Sequence, residues 1–240
     1  MSKFIFKTTD FYKIPCQPIA YWLNEKLLTV FSSNSQLNVY AEPRQGFATG
    51  NNDKFLRFWQ EVDFEKLQIS MSYEEAKNSL KKWFPCNKGG EFRKWFGNNY
   101  YVVNWENNGK EIKEFKGSVI RNPNYYFKAG GTWSTLSSGS FSMRFSPTGY
   151  LFESKGSVCF PKDDNDLFYV IGFLNSIVVK NLLLILSPTL DYHEGPVGRL
   201  PLVFNQKDKV KDIVDINIIV SKNDWDSFET SWDFKKHPLV

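Results

Sequence analysis

The chain has 240 residues, 42% of them hydrophobic and 17% aromatic, which is enough apolar mass to bury one main core and excludes a disordered or low-complexity chain. Its net charge of +4 selects no partner by itself, and its mean hydropathy of −0.40 is that of a globular chain rather than a membrane one. Cys16, Cys86 and Cys159 match no zinc spacing and read as ordinary buried thiols in a reducing, cytoplasmic compartment, and Met1-Ser2-Lys3-Phe4 opens without a signal-peptide pattern.

Pro18 to Phe31 sets Ile19, Leu23, Leu27 and Val30 near helical spacing, with Pro18 suited to a first helical position, and predicts a helix. A short strand is expected around Leu37 to Tyr40, then a turn-rich stretch from Pro43 to Asp53, then an alternating aromatic strand from Phe55 to Val62. Ser72-Tyr-Glu-Glu75 has the capping-box pattern and starts a helix to about Lys82. Tyr100 to Trp105 is a strand, and the polar run from Glu106 to Lys116 reads as a surface helix interrupted by Gly109. Between Tyr125 and Phe160 short runs of β-formers alternate with Gly, Ser and Pro, which predicts a β-meander. Leu167 to Ser187 reads as one helix ended by Pro188. Asn175, Lys180 and Asn181 within it favour a core helix over a membrane span, so no membrane partner is expected. Val210, Ile213, Val214 and Ile218 mark a further helix before the aromatic, acidic segment Asp224 to Phe234.

The fold expected is α+β, or mixed α/β: a mixed, mostly antiparallel sheet with a β-meander and flanking helices. Its divisions are a helical lead-in (1–36), a central domain (37–204) and a helical C-terminal appendage (205–240).

Catalytic patterns are thin. No glycine-rich turn suited to S-adenosylmethionine follows a strand, and Asn122-Pro-Asn-Tyr125 lacks the second proline of an Asn-Pro-Pro-Tyr loop, so an Asn-Pro turn explains it better. His193 and His237 are the only histidines and sit in no hydrolase or metal-ligand pattern, while Asp163-Asp-Asn-Asp166 reads as a solvated loop at a helix N-terminus.

Charge is concentrated instead. Between Lys77 and Lys155 there are 13 basic residues against five acidic ones, so the remainder of the chain is net negative. A polyanion partner fits that surplus, and a solvated lysine-rich face is the plainer account. The run Lys81 to Gly97 interleaves cations and aromatics around Gly89 and Gly90. Arg93 is suited to a guanine edge and Lys88 and Lys94 to phosphates, with Lys82 and Asn87 beside them as DNA-binding candidates, while Trp83 and Trp95 are equally suited to the core or to bases. A second candidate surface is Arg44, Gln45, Thr49, Asn51 and Asn52, whose amides suit adenine but whose letters also make turns. Arg121, Lys128, Trp133, Ser134 and Arg144 supply a third.

Several of these stretches resemble the BREX phage-defence adenine-specific DNA methyltransferases, relatives of type IIG restriction-modification enzymes. They are Lys13 to Trp22, Arg44 to Leu56, Lys82 to Trp95, Tyr101 to Trp105, Asn124 to Lys128, Gly131 to Ser134, Phe173 to Val179 and Asp224 to Lys235. Lys82 to Trp95 is the specific one; the Thr49-Gly50 loop is shared more loosely with TaqI-like and type I recognition domains. The resemblance covers the region after the catalytic domain and implies a TaqI-like target-recognition domain that is not catalytic alone. It implies double-stranded DNA as the partner, S-adenosylmethionine only in the catalytic domain the family carries, and contact with that domain or other BREX proteins. The alternative is a protein-docking module that binds a methyltransferase subunit, another BREX component or a phage DNA-mimic inhibitor. Its support is the aromatic tail Trp225, Phe228 and Trp232.

Overall fold

The computed structural model describes residues 7–69, 72–137 and 139–239. It is a mixed α+β architecture of two four-stranded sheets, with eight helices among the described residues. The first sheet runs β1 (Ala41–Arg44), β8 (Val158–Pro161), β5 (Gly130–Trp133) and β6 (Met143–Ser146), antiparallel throughout. The second runs β2 (Leu56–Phe58), β4 (Tyr101–Asn104), β3 (Trp83–Asn87) and β7 (Leu151–Phe152), antiparallel except for the parallel β3–β7 pair.

The β-rich stretch from residue 125 onward serves both sheets. β5 and β6 pair directly and β8 returns to the other edge of β5, whereas β7 crosses to β3. Tyr125 ends a 3-10 turn, Pro123–Tyr125, instead of starting a strand, because Asn122 enters it in a left-handed conformation. The strand expected at Leu37 to Tyr40 lies later, as β1, and Leu37–Val39 is a 3-10 turn. Pro43 inside β1 is tolerated because β1 is an edge strand. Of Phe55 to Val62 only β2 is extended; the short α2 (Asn52–Phe55) precedes it and a 3-10 turn follows.

Helix starts follow local chemistry. α1 (Glu25–Ser33) begins well after Pro18, where the Asn24 side chain accepts from the Leu27 N–H at 2.9 Å. α3 (Tyr73–Asn78) carries the expected capping box, with both the Ser72 and Glu75 bonds formed. α4 (Glu106–Glu114) is broken near its start, since Asn107, Asn108 and Gly109 all have positive φ. The helix expected from Leu167 to Ser187 is two helices, α5 (Leu167–Leu174) and α6 (Ile177–Leu186), set at 77°. Asn175 causes the break: its Oδ1 accepts from the Met143 N–H and its Nδ2 donates to the Met143 carbonyl, both at 2.9 Å, so a side chain caps the start of β6. Ser176 then starts α6 by accepting from the Val179 N–H. Among the described residues no single helix is long and apolar enough to cross a membrane.

Two cores result. The larger joins α1, α5, α6, the short α7 (Glu194–Gly198) and α8 (Lys207–Trp225) to one face of the first sheet, around Trp133, Met143, Ile171 and Leu182. Gly172 admits α8 closely, because a Cβ there would lie 2.7 Å from Val214. The smaller core is aromatic and lies between the sheets, around Phe47, Phe84, Trp105, Tyr126 and Phe152. Cys86 and Cys159 are buried thiols, but Cys16 is exposed. The aromatic tail folds back on its own chain: Trp225 meets Tyr100 at 5.0 Å, and Trp232 meets Trp59 and Tyr150 at 6.3 and 6.2 Å, leaving Phe228 exposed.

Candidate nucleic-acid interface

The turn-rich loop leaving β1 sits edge to edge with a second loop from far along the chain. Ala48 and Val119 exchange both backbone hydrogen bonds, at 2.9 and 2.8 Å, and Asn122 Nδ2 donates to the Gln45 carbonyl at 2.9 Å. Gly50, at φ 70°, lies so close to Gly117 that a Cβ would fall 2.6 Å from its carbonyl carbon. A third segment closes the cluster: Phe47 donates to the Phe152 carbonyl, Ser154 to Phe47 and Glu153 to Asn87. Residues separated by more than a hundred positions thus meet in one loop cluster.

Within this cluster the amides are partly committed. Thr49, itself buried, donates its hydroxyl to Asn52 Oδ1 at 2.6 Å, and Asn51 Oδ1 accepts from the Lys54 N–H as the cap of α2. Both asparagines are exposed with a carbonyl already engaged, so what each offers outward is its Nδ2 donor. Arg44 is held against the Tyr125 ring at 5.0 Å and pairs with Glu42 at 2.8 Å. The Tyr125 hydroxyl donates to Glu42, and that bond, with help from Arg44, holds the Glu42 carboxyl below its usual range. Gln45 is half-buried beside it, Arg121 is half-buried, and Lys128 is exposed over the Tyr125 ring at 5.4 Å.

Lys88, at the end of β3, joins the same cluster. Its ammonium lies 4.5 Å from the Tyr101 ring centre, and Phe58 stacks on that ring at 4.9 Å. Lys88, Asn52, Arg57, Phe58 and Tyr101 line an open cleft of about 360 Å³ together with Asp53 and Glu61. Gly89, at φ 90°, lets the chain pass Lys155, whose carbonyl oxygen would lie 2.7 Å from a Cβ. Arg57, Phe58, Tyr101 and Lys155 were not among the sequence candidates; the alternation through β2, which turns Phe58 outward, was the available signal.

The remaining candidates turn inward. Trp133 is fully buried and donates its indole N–H to the Tyr192 carbonyl at 2.8 Å. Asn87 is buried and donates to Ser146, and Ser134 is buried and donates to the Gly90 carbonyl. Lys94 donates to the Asn175 carbonyl at 2.7 Å, and burial, then Lys180, lowers its pKa. Trp95 is half-buried and bound through its backbone to Met143 and Phe145. Lys82 is half-buried, 3.8 Å from Glu106. Arg93 lies over the Trp225 ring at 5.0 Å with two 3.3 Å bonds to Asp224. Arg144 is buried, and burial lowers its pKa to about 10, with Arg93 adding to the effect. Among the described residues no three His, Cys, Asp or Glu side chains come together as a metal group.

No family model matches the chain. Over 242 aligned residues it is 43% identical to the adenine-specific methyltransferase PglX of Lacticaseibacillus casei (strain Zhang), covering 98% of the chain and 20% of that protein. It is 38% identical to the adenine-specific methyltransferase BrxX of Escherichia coli O9:H4 (strain HS), again over 98% of the chain and 19% of that protein. The chain therefore spans about a fifth of the length of the curated relatives it matches.

Proposed function

For a chain homologous along nearly its whole length to one segment of adenine-specific methyltransferases, we propose that its work is sequence-specific recognition of double-stranded DNA within a site-specific adenine-N6 methyltransferase of a phage-defence system. The observation that carries this reading is the meeting of the 44–53 loop, the end of β3, the 117–122 loop and the 152–156 turn in one basic, aromatic cluster. Lys88, Arg121 and Lys155 supply sequence-independent attraction to phosphates there. Asn51 and Asn52 present amide donors suited to single hydrogen bonds with acceptors on base edges. Phe58 on Tyr101 offers an apolar face to an exposed base or sugar. Methyl transfer in this reading falls to another part of the methyltransferase, which holds the S-adenosylmethionine.

Fluorescence anisotropy with duplex DNA across a salt series tests the surface. Lys88→Ala and Lys155→Ala each lower the slope of log affinity against log salt by about one. Unchanged slopes in both variants refute the placement.

One observation favours a second reading, docking onto protein. α8 turns Ile213, Ile216, Ile219 and Val220 outward, each about half exposed or more, on the side away from Val214 and Ile218. Tight association with a methyltransferase domain, with no affinity for duplex DNA, would favour it.

A further inference from the structure

Arg144 poses an electrostatic problem that the protein alone leaves open. It is 2% exposed, and its Nε and Nη1 have no hydrogen-bond partner. Among the described residues its one side-chain bond is a long one, from Nη2 to the Ser134 hydroxyl at 3.5 Å. A guanidinium out of water without a carboxylate is strongly unfavourable. Arg93 worsens matters, since it is a second guanidinium close enough to perturb Arg144.

The chain leaving β3 is linked to Arg144 through Ser134, whose hydroxyl donates to the Gly90 carbonyl and accepts from Arg144, and it has the features of a movable flap. Gly89 and Gly90 have φ of 90° and 127°, so the chain turns sharply as it leaves β3, and Glu91 and Phe92 are exposed. Beyond them Trp95 is anchored, donating to the Met143 carbonyl at 2.9 Å and accepting from Phe145 at 2.7 Å. Between hinge and anchor the flap is fastened by Ser134 to Gly90, by Asn98 to the Glu91 carbonyl, and by the Arg93–Asp224 pair. Asp224 is 60% exposed at its side chain and places a carboxylate on Arg93 from the last turn of α8. Gly97 makes room for the Arg93 stem, with a Cβ there falling 2.5 Å from Arg93 Cδ.

We infer that Arg144 and Arg93 form a latent phosphate site, closed by the Gly89–Arg93 flap and held shut by Asp224, which occupies on Arg93 the place of a phosphate oxygen. A phosphate that displaces Asp224 frees the flap and gains two guanidinium forks, the arrangement that best matches an oxyanion. The inference deepens the DNA-recognition reading, since a phosphodiester of duplex DNA is one source of that group and free phosphate or pyrophosphate the other.

Thermal unfolding of the chain in phosphate, pyrophosphate or chloride at matched ionic strength tests it, with duplex affinity measured beside it. Wild type gains thermal stability saturably with pyrophosphate. Arg144→Met removes the unneutralised charge, so it melts higher than wild type in chloride and loses the response to pyrophosphate. Asp224→Asn, an exposed change that leaves the fold intact, tightens pyrophosphate binding about three-fold. Matching gains for duplex DNA identify the phosphodiester as the source, and gains for pyrophosphate alone identify the free anion. A wild type and an Asp224→Asn variant that both ignore phosphate in every form overturn the inference, as does an Arg144→Met protein that melts lower in chloride and keeps the full response. Duplex binding that depends on Lys88 and Lys155, with no response to phosphate or pyrophosphate, would leave the recognition surface standing while removing this site.

Discussion

The connection from β3 to β4 carries basic residues of similar type with opposite fates. Lys88 rests on the Tyr101 ring at the mouth of an open cleft, whereas Arg93 is pinned to Asp224 and Trp225 and Lys94 to the end of α5. A run of cations in sequence measures local potential; what lies opposite each one decides whether a ligand can reach it. The two halves therefore divide the work. The Asn52–Lys88 loops face outward, and the buried Trp133 holds the sheet that carries them.

The sharpest way to break that division is Trp133→Ala. The side chain is fully buried with its N–H bonded to Tyr192, so its loss costs about 3–5 kcal/mol of stability in denaturant unfolding. A loss under about 1 kcal/mol would mean that Trp133 is not the interior anchor described here. Next in size is the Asn52→Ala, Lys88→Ala double variant, which weakens duplex binding about tenfold with little change in melting temperature. Lys94→Ala is the control, expected to cost stability where it holds Asn175 and to leave duplex affinity unchanged. Equal affinity losses from both would erase the distinction. The smallest signal is pH dependence. The buried Arg144 cation has its folded-state pKa lowered to about 10, with Arg93 the charge that faces it, so its cost is present below that pH and relieved above it. The stability advantage of Arg144→Met over wild type thus shrinks as pH rises through about 10, and an advantage that grows there contradicts the assignment.

What the sequence made legible was mostly local. The Ser72–Glu75 box, the strand before Trp105 and the α8 helix follow from short-range spacing, and each lies where expected to within a few residues. The break between α5 and α6 could have been read from Asn175-Ser176, a pair that offers a cap in the middle of an apolar run. Its cause was not readable, because the Met143 backbone that Asn175 satisfies is distant in sequence. The candidate site shows the same limit. Asn51 and Asn52 were visible as amides, but their partial use by α2 and Thr49 depends on the folded loop. Trp133 and Arg144 read as surface groups because strand alternation turns them to opposite faces of the first sheet and does not say that both faces are covered. The crossing of β7 to β3, which brings Lys88 beside the 47–53 loop, is a long-range pairing with no local mark.

The most direct test of the central claim is selection and sequencing of a randomised duplex pool bound by the chain at physiological salt, repeated with the Asn52→Ala, Lys88→Ala protein. Recognition predicts that a short motif is enriched by the native chain and lost with the double variant. Salt-labile capture with no enriched motif, or no capture at all, would contradict it.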